Sequence, residues 1–490
     1  MIKFHIIILG CQMNYADSAR IKAVLTNCWF LYTEKPEDAN IIIFDTCSVR
    51  QKSEDKITGK LKEIRADQKI WITGCMIQHN LRNQKITEKL LPENLKRGNF
   101  LGTIQTKNPE VVWITAEEVN EFKIQNTIHK TIGINHVFNP LFHNLKQKRK
   151  NIELFFRIDD TGFLPLILKK IWYKINYDKE LINEYSKIIP DWFNTSMNHH
   201  KKTAYIPIST WCNQFCSYCI VPYARWLEKH HPKEQIIQEA KRHLAAWCQE
   251  IVLLGQIVNK HPEFVAIIKD ILKLKWLERL RYTSPYPNFY TPELLRLHET
   301  EEKLCPHIHI PFQSGSNTIL KSMRRGYTSQ QAKEFIDNIK NLKRNISITT
   351  DIIVWYPDET QENFQETLDL IEYGKFDMIY IWIYSPRPGT YAHKNHPDNI
   401  DRKTKRNRRD QLNEILKKTS QENNQKEISQ IRKIIIDKKD ENNIYWYTDN
   451  MKQITIKNNS EFKINIGDFI DVKITKSVPF KLYWEIVENN

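Results

Sequence analysis

The hydrophobic residues of this chain come in short apolar runs set between longer polar or amphipathic stretches, and the character of the runs changes along its length. In the first 115 residues, the runs His5–Leu9, Ile41–Phe44 and Lys69–Thr73 are short and nearly continuous. That is how strands buried on both faces read, and helical stretches between them predict an N-terminal parallel α/β domain over 1–115. Residues 116–200 show no clear period, hold a basic run at Lys146–Lys150, and read as a linker with an insertion, partly helical around Leu164–Ile189. From 201 to 425 the alternation resumes, with strands expected at Tyr205–Ser209, Ile251–Leu254, Arg281–Thr283, His307–Pro311, Ser347–Val354 and Met378–Tyr384. Helical stretches such as Lys233–Trp247 and Ser329–Leu342 separate them. Strand–helix units in this series predict a (βα)6 partial barrel of the TIM type, with its chemistry where the strands end. Over 426–490 the pattern becomes the alternation of exposed strands, in Gln453–Ile456, Phe469–Ile474 and Tyr483–Val487. A small antiparallel β-barrel follows from it. The fold class is therefore α/β, closed off by a small all-β unit.

The first chemistry on this frame is a C-x3-C-x2-C run, Cys212, Cys216 and Cys219, directly after the first expected barrel strand. This spacing lets one short loop offer three thiolates to a cuboidal 4Fe–4S cluster, leaving the fourth iron open to a small molecule. A zinc site needs a fourth ligand, for which His230 and His231 are the available partners. Cys11, Cys47 and Cys75 form a second set, far apart in sequence but each just after one of the three N-terminal apolar runs. Loops that follow parallel strands gather at one sheet edge, so these cysteines are expected to converge on a second cluster. Cys28, Cys248 and Cys305 are left as structural thiols.

Composition narrows the class. Nine cysteines, an odd number with cluster-type spacing, argue against a disulfide framework. No apolar stretch is long enough to span a bilayer, so no membrane association is expected and the cytoplasm is the expected compartment. The net charge of +15 suits a polyanionic partner such as RNA, although a lysine- and asparagine-rich composition produces the same excess. The basic cluster Arg402, Lys403, Lys405, Arg406, Arg408 and Arg409 reads equally as a solvated helix face or as a phosphate contact.

Seven motifs together resemble the radical S-adenosylmethionine (SAM) methylthiotransferase family over nearly the whole chain apart from the insertion. They are Gly10–Asn14 (GCQMN), Thr46–Arg50 (TCSVR), Thr73–Met76 (TGCM), Cys212–Tyr223 (CNQFCSYCIVPY), His309–Ser316 (HIPFQSGS), Thr350–Val354 (TDIIV) and Tyr384–Thr390 (YSPRPGT). The resemblance implies an N-terminal methylthiotransferase domain, a radical-SAM barrel and a C-terminal TRAM-like RNA-binding domain. It implies two 4Fe–4S clusters, one on Cys212, Cys216 and Cys219 that binds SAM, and an auxiliary one on Cys11, Cys47 and Cys75 that presents sulfur. Tyr218, Gly255, Gln256, Gln313 and Ser314 are the implied SAM contacts, with Asp351 and Arg387 as weaker candidates. GCQMN and TCSVR resemble the branch that inserts sulfur and methyl at C2 of N6-dimethylallyladenosine beside the tRNA anticodon. A carbon flanked by ring nitrogens is not acidic enough for a side-chain base, which is why a radical is needed. Threonylcarbamoyl-adenosine, a ribosomal-protein aspartate, and a non-catalytic RNA-binding metal protein are the alternatives. A flavodoxin-like or ferredoxin-like electron donor and a monomeric state are further expectations.

The sequence departs from the family in one systematic way. Trp29, Trp211, Trp226, Trp247, Trp276, Trp355, Trp446 and Trp484 stand where the family has glycine, and only 13 glycines remain in 490 residues. Average glycine usage is about 7%. Two explanations remain open at this point: a codon read as glycine in the source organism and written here as tryptophan, or a decayed relative. Asp358 and Tyr286 depart from the family's glycine and histidine without that explanation.

Overall fold

The computed structural model describes residues 1–47, 51–82, 140–170, 202–224, 228–439, 443–457 and 467–486. The chain divides into two compact units, Met1–Met197 with Ile220–Leu227, and Asn198–Cys219 with Glu228–Asn490.

In the first unit, β1 (Lys3–Leu9), β2 (Leu31–Tyr32), β3 (Ile41–Thr46), β4 (Lys69–Gly74) and β5 (Ile152–Phe155) form a parallel sheet in the order β2-β1-β3-β4-β5. The apolar runs made these strands, because Ile41–Phe44 and Ile70–Ile72 are buried on both faces. Helices Gln12–Asn27, Gln51–Glu63 and Cys75–Arg82 each follow a strand. The linker expectation is corrected where it can be checked: Ile152–Phe155 pairs with β4, and Leu154, Phe155 and Phe156 are buried in the same core as β1, β3 and β4. Hydrophobic continuity across an intervening stretch, which no local period reveals, makes residues 140–170 part of the sheet domain. The rest of 116–200 lies outside the described residues.

In the second unit, β6 (Thr203–Pro207), β7 (Ser209–Thr210), β8 (Lys229–His230), β9 (Glu250–Leu254), β10 (Arg279–Tyr282), β11 (His307–His309), β12 (Ser347–Val354) and β13 (Met378–Ile383) run in chain order. The parallel sheets β10-β9-β6 and β11-β12-β13 join through a parallel bridge between Leu280 and Leu304. The six expected strands thus form an open arc, a partial barrel whose strands all point one way.

The C-terminal strands β14 (Ile431–Lys439), β15 (Asn443–Thr448), β16 (Gln453–Lys457), β17 (Phe469–Val478) and β18 (Lys481–Ile486) close into a barrel, β14-β15-β16-β18-β17. Its core holds Ile434, Ile436, Ile454, Val472, Ile474, Leu482 and Trp484. It is antiparallel except where β16 meets β18 in parallel, at Ile454 and Leu482.

Trp29, Trp211, Trp247, Trp276 and Trp355 have φ of 67°, 67°, 68°, 66° and 63°. That is the left-handed region, which glycine enters freely and other residues rarely do. Trp446 and Trp484 instead lie in β15 and β18, on strand backbone that suits any residue. Trp226 lies outside the described residues.

Candidate active site

The three N-terminal cysteines are placed by strand register. Leu9 pairs with Thr46, and Thr46 pairs with Gly74, so the ends of β1, β3 and β4 stand in one row. Cys11, Cys47 and Cys75 follow these ends within two residues. Neighbouring strands are about 4.8 Å apart, which brings the three loops together at one sheet edge. Cys11 caps helix Gln12–Asn27 and Cys75 opens helix Cys75–Arg82, where the helix dipole favours a thiolate.

A buried polar web holds this edge in place. The Asn14 side-chain carbonyl accepts from the Cys11 N–H at 2.9 Å, and its amide donates to Asp45 Oδ1 at 2.7 Å and the Thr46 carbonyl at 3.3 Å. Ser18 Oγ donates to Asp45 Oδ2 at 2.9 Å, and Thr73 Oγ1 donates to the Phe156 carbonyl at 2.8 Å. The glycines of the motifs are required by space. A Cβ at Gly10 would lie 1.9 Å from Asn14 Oδ1, and one at Gly74 (φ +95°) would lie 2.2 Å from the Thr46 carbonyl.

In the second unit, Cys212, Cys216 and Cys219 occupy the loop after β7, at the end of the barrel where β9, β11 and β13 also terminate. Ser217 bolts this loop to the barrel. Its N–H donates to the Met323 carbonyl at 3.1 Å and its carbonyl accepts from the Ala392 N–H at 2.8 Å. Its hydroxyl meets the Ser322 carbonyl at 2.8 Å and Tyr356 Oη at 2.9 Å. Two sulfurs already face donors. The Gln214 N–H points at Cys212 Sγ at 3.4 Å, and Arg325 Nη1 at Cys216 Sγ at 3.4 Å. Burial pushes the Cys212 thiol up to about 11, against the pull of the Gln214 N–H.

Donors aimed at sulfur on a rigid three-cysteine loop fit a thiolate-held iron–sulfur cluster. Among the described residues, no three His, Cys, Asp or Glu side chains converge tightly enough for a single metal ion. A cuboidal cluster, with an iron at each corner, spreads its cysteines more widely than one ion does.

The expected SAM contacts divide. Tyr218 packs, half-buried, against Ile319, Met323, Tyr356 and Tyr384. Gly255 follows β9, where a Cβ would lie 2.6 Å from Ser209 Oγ, and Gln256 follows it, half-buried. Gln313 adopts φ 75° and bridges to Ile352. The Ser314 hydroxyl is fully buried, bonded to Thr367 Oγ1 at 3.2 Å and to the Ser316 N–H at 3.1 Å, so it braces the turn. Asp351 bonds Trp382 Nε1 at 2.7 Å and His309 Nε2 at 3.1 Å. Arg387 is buried. On the helix Arg402–Gln425, three of the basic residues have acidic partners. Lys405 pairs with Asp398, Arg408 with Glu359 and Arg409 with Asp410.

Sequence reasoning missed Arg325 and the use of Tyr286. Arg325 is visible in the sequence only as half of an arginine pair. The Tyr286 ring lies 4.5 Å from the Arg325 guanidinium and its hydroxyl accepts from the Gly326 N–H at 2.9 Å.

Comparison with known proteins supplies the family. Residues 206–371 match the Radical SAM superfamily and residues 3–93 match the uncharacterized protein family UPF0004. The tRNA-2-methylthio-N(6)-dimethylallyladenosine synthase of Petrotoga mobilis is 32% identical, covering 100% of both chains. The chain belongs to the radical SAM methylthiotransferases. Synthases of the same name from Thermoanaerobacter sp. (32% identical; 99% of this chain, 93% of the relative) and Natranaerobius thermophilus (29%; 100% and 97%) agree. Membership in the radical SAM methylthiotransferases implies a 4Fe–4S cluster and SAM. No helix among the described residues is long and apolar enough to cross a membrane.

Proposed function

We propose that this methylthiotransferase places a methylthio group at C2 of N6-dimethylallyladenosine next to the anticodon of tRNA. The observation that carries the reading is identity of 32% over the full length of a relative named for that reaction. Retention of both cysteine trios on rigid frames adds to it.

In this reading Cys212, Cys216 and Cys219 hold the cluster that binds SAM, and Cys11, Cys47 and Cys75 hold an auxiliary 4Fe–4S cluster. When bound, the first cluster supplies the electron that cleaves SAM. The protein's own work is positional. Ser217 fixes the cysteine loop against the barrel, and Asn14 fixes the Cys11 turn against Asp45. Tyr218 gives a flat apolar wall, while Gly255, Gln256 and the Gln313 turn supply backbone and amide groups around the mouth. Ser314 holds that turn from beneath.

The small barrel suits RNA. Tyr447 and Tyr483 are exposed, and Lys476 and Lys481 lie over the Tyr483 ring at 5.9 and 5.0 Å. Exposed rings beside lysines stack bases and attract phosphates. A flavodoxin-like or ferredoxin-like donor, a monomeric state and a cytoplasmic location complete the proposal.

Nucleoside analysis of tRNA tests it. Anaerobically reconstituted enzyme with SAM, sulfide and dithionite should convert dimethylallyladenosine in tRNA to its 2-methylthio form. Conversion of threonylcarbamoyl-adenosine alone, or SAM cleavage only with a ribosomal protein, would reassign the substrate. No SAM cleavage with any of them would leave a non-catalytic binder.

A further inference from the structure

Arg325 is a half-buried cation with an unusual surrounding. Its Nη2 donates to the Pro311 carbonyl at 2.8 Å, its Nε to Tyr327 Oη at 3.1 Å, and its Nη1 to Cys216 Sγ at 3.4 Å. Its guanidinium lies 4.5 Å from the Tyr286 ring centre and 5.3 Å from that of Tyr327. Among the described residues no carboxylate forms an ion pair with it. A charge drawn partly out of water gains from a negative neighbour, and rings, a carbonyl and a hydroxyl do not cancel a full positive charge. The neighbour able to carry negative charge is the Cys216 sulfur.

We propose that Arg325 is the counter-cation of the cluster held by Cys212, Cys216 and Cys219, and that its charge raises the potential at which that cluster takes up an electron. The proposal rests on those three cysteines being the ligands. Reduction makes the cluster more negative, so a fixed cation beside it stabilises the reduced state more than the oxidised one. Hydrogen bonds to cluster sulfurs act in the same direction. Tyr286, which stands in place of the family's histidine, supplies a ring face for the guanidinium.

The test uses the full chain with Cys11, Cys47 and Cys75 changed to alanine, so that one cluster signal remains. Iron content and the midpoint potential, from an EPR-monitored dithionite titration, are measured for Arg325, Arg325→Lys, Arg325→Met and Arg325→Gln. Both neutral variants should titrate at a more negative potential than the parent, with lysine near the parent. Iron loading retained by lysine but lost in both neutral variants also supports the role of charge. Equal loading and equal potential in all four overturn the proposal. A parent that binds no cluster overturns the ligand assignment itself, and the proposal with it.

The backbone carries a second, independent inference. Trp29 and Trp247 each stand one residue past a helix cap, and both ends close as full Schellman motifs. The Trp29 N–H bonds the Thr26 carbonyl at 3.0 Å and the Phe30 N–H that of Leu25 at 3.1 Å. The Trp247 N–H bonds the Leu244 carbonyl at 3.1 Å and the Cys248 N–H that of His243 at 3.1 Å. Glycine is the usual occupant there, and a side chain in this conformation costs about 1–2 kcal/mol. Trp355 is fully buried at φ 63°, and among the described residues its indole N–H has no hydrogen-bond partner. We infer that glycine is the native residue at 29, 211, 247, 276 and 355, and that the source organism reads as glycine a codon rendered here as tryptophan. Tandem mass spectrometry of peptides from the natively expressed protein should find glycine at these positions; tryptophan there overturns the inference.

Discussion

The Asn14 amide donates to Asp45 at 2.7 Å, tying the Cys11 turn to the end of the neighbouring strand. Because the same side chain holds the Cys11 N–H at 2.9 Å, its loss frees the turn and strips a donor from a buried carboxylate. Asn14→Ala is expected to destabilise the fold by about 1–3 kcal/mol. Iron bound by a Cys212→Ala/Cys216→Ala/Cys219→Ala protein should fall with it. Chemical denaturation and iron analysis check both effects.

Trp247 is 84% exposed, so replacing it removes little packing while relieving its left-handed backbone. Trp247→Gly should raise stability by up to about 1 kcal/mol, after the glycine's larger unfolded-state entropy is set against the relief. Trp247→Ala should not, because alanine keeps the Cβ. A thermal melt of the three proteins separates them.

Much of this architecture was legible in sequence, for reasons visible at particular residues. Ser347–Val354 is an eight-residue strand with the expected limits, since its β-branched run is buried almost throughout. The Cys11, Cys47 and Cys75 loops were placed by the rule that parallel strands end at one edge, and the Leu9–Thr46–Gly74 row has that form. Ile152–Phe155 was not legible as a fifth strand, because its partner β4 lies far back in the chain. That the Ser314 hydroxyl braces its turn was not legible, because a hydroxyl in a motif carries no sign of which way it points. Arg325 was missed because its surroundings depend on a ring from a distant segment, Tyr286, and on a cysteine more than a hundred residues earlier, Cys216.

His298 gives the acid limb a specific cause. Burial, with Arg344 nearby, depresses its imidazole to about 3, while Tyr282 Oη lies within hydrogen-bond reach of Nε2. The folded state keeps it neutral, but the unfolded state gains a proton below its ordinary value of 6.5. Stability therefore falls as pH drops from 6.5 towards 3, by up to about 1.4 kcal/mol per pH unit from this one group. His298→Gln should flatten that slope in urea titrations run across the window. An unchanged slope would assign the acid sensitivity elsewhere.

Arg281 anchors the small barrel to the βα arc. Its Nε donates to buried Glu250 at 2.6 Å, and its Nη1 and Nη2 donate to the Asp449 and Thr448 carbonyls at 2.7 and 2.8 Å. Arg281→Met leaves the Glu250 charge buried without its main partner and should cost about 3–5 kcal/mol. Arg281→Met combined with Glu250→Met should recover a large part. A double-mutant cycle in urea measures the difference.

Metal analysis of anaerobically reconstituted protein goes furthest towards testing the central claim, two cysteine trios that each hold a 4Fe–4S cluster. The intact chain should carry about eight irons, with about four left when either trio is replaced by alanine. About four irons in the intact chain, all lost with Cys212, Cys216 and Cys219 and none with Cys11, Cys47 and Cys75, would contradict it.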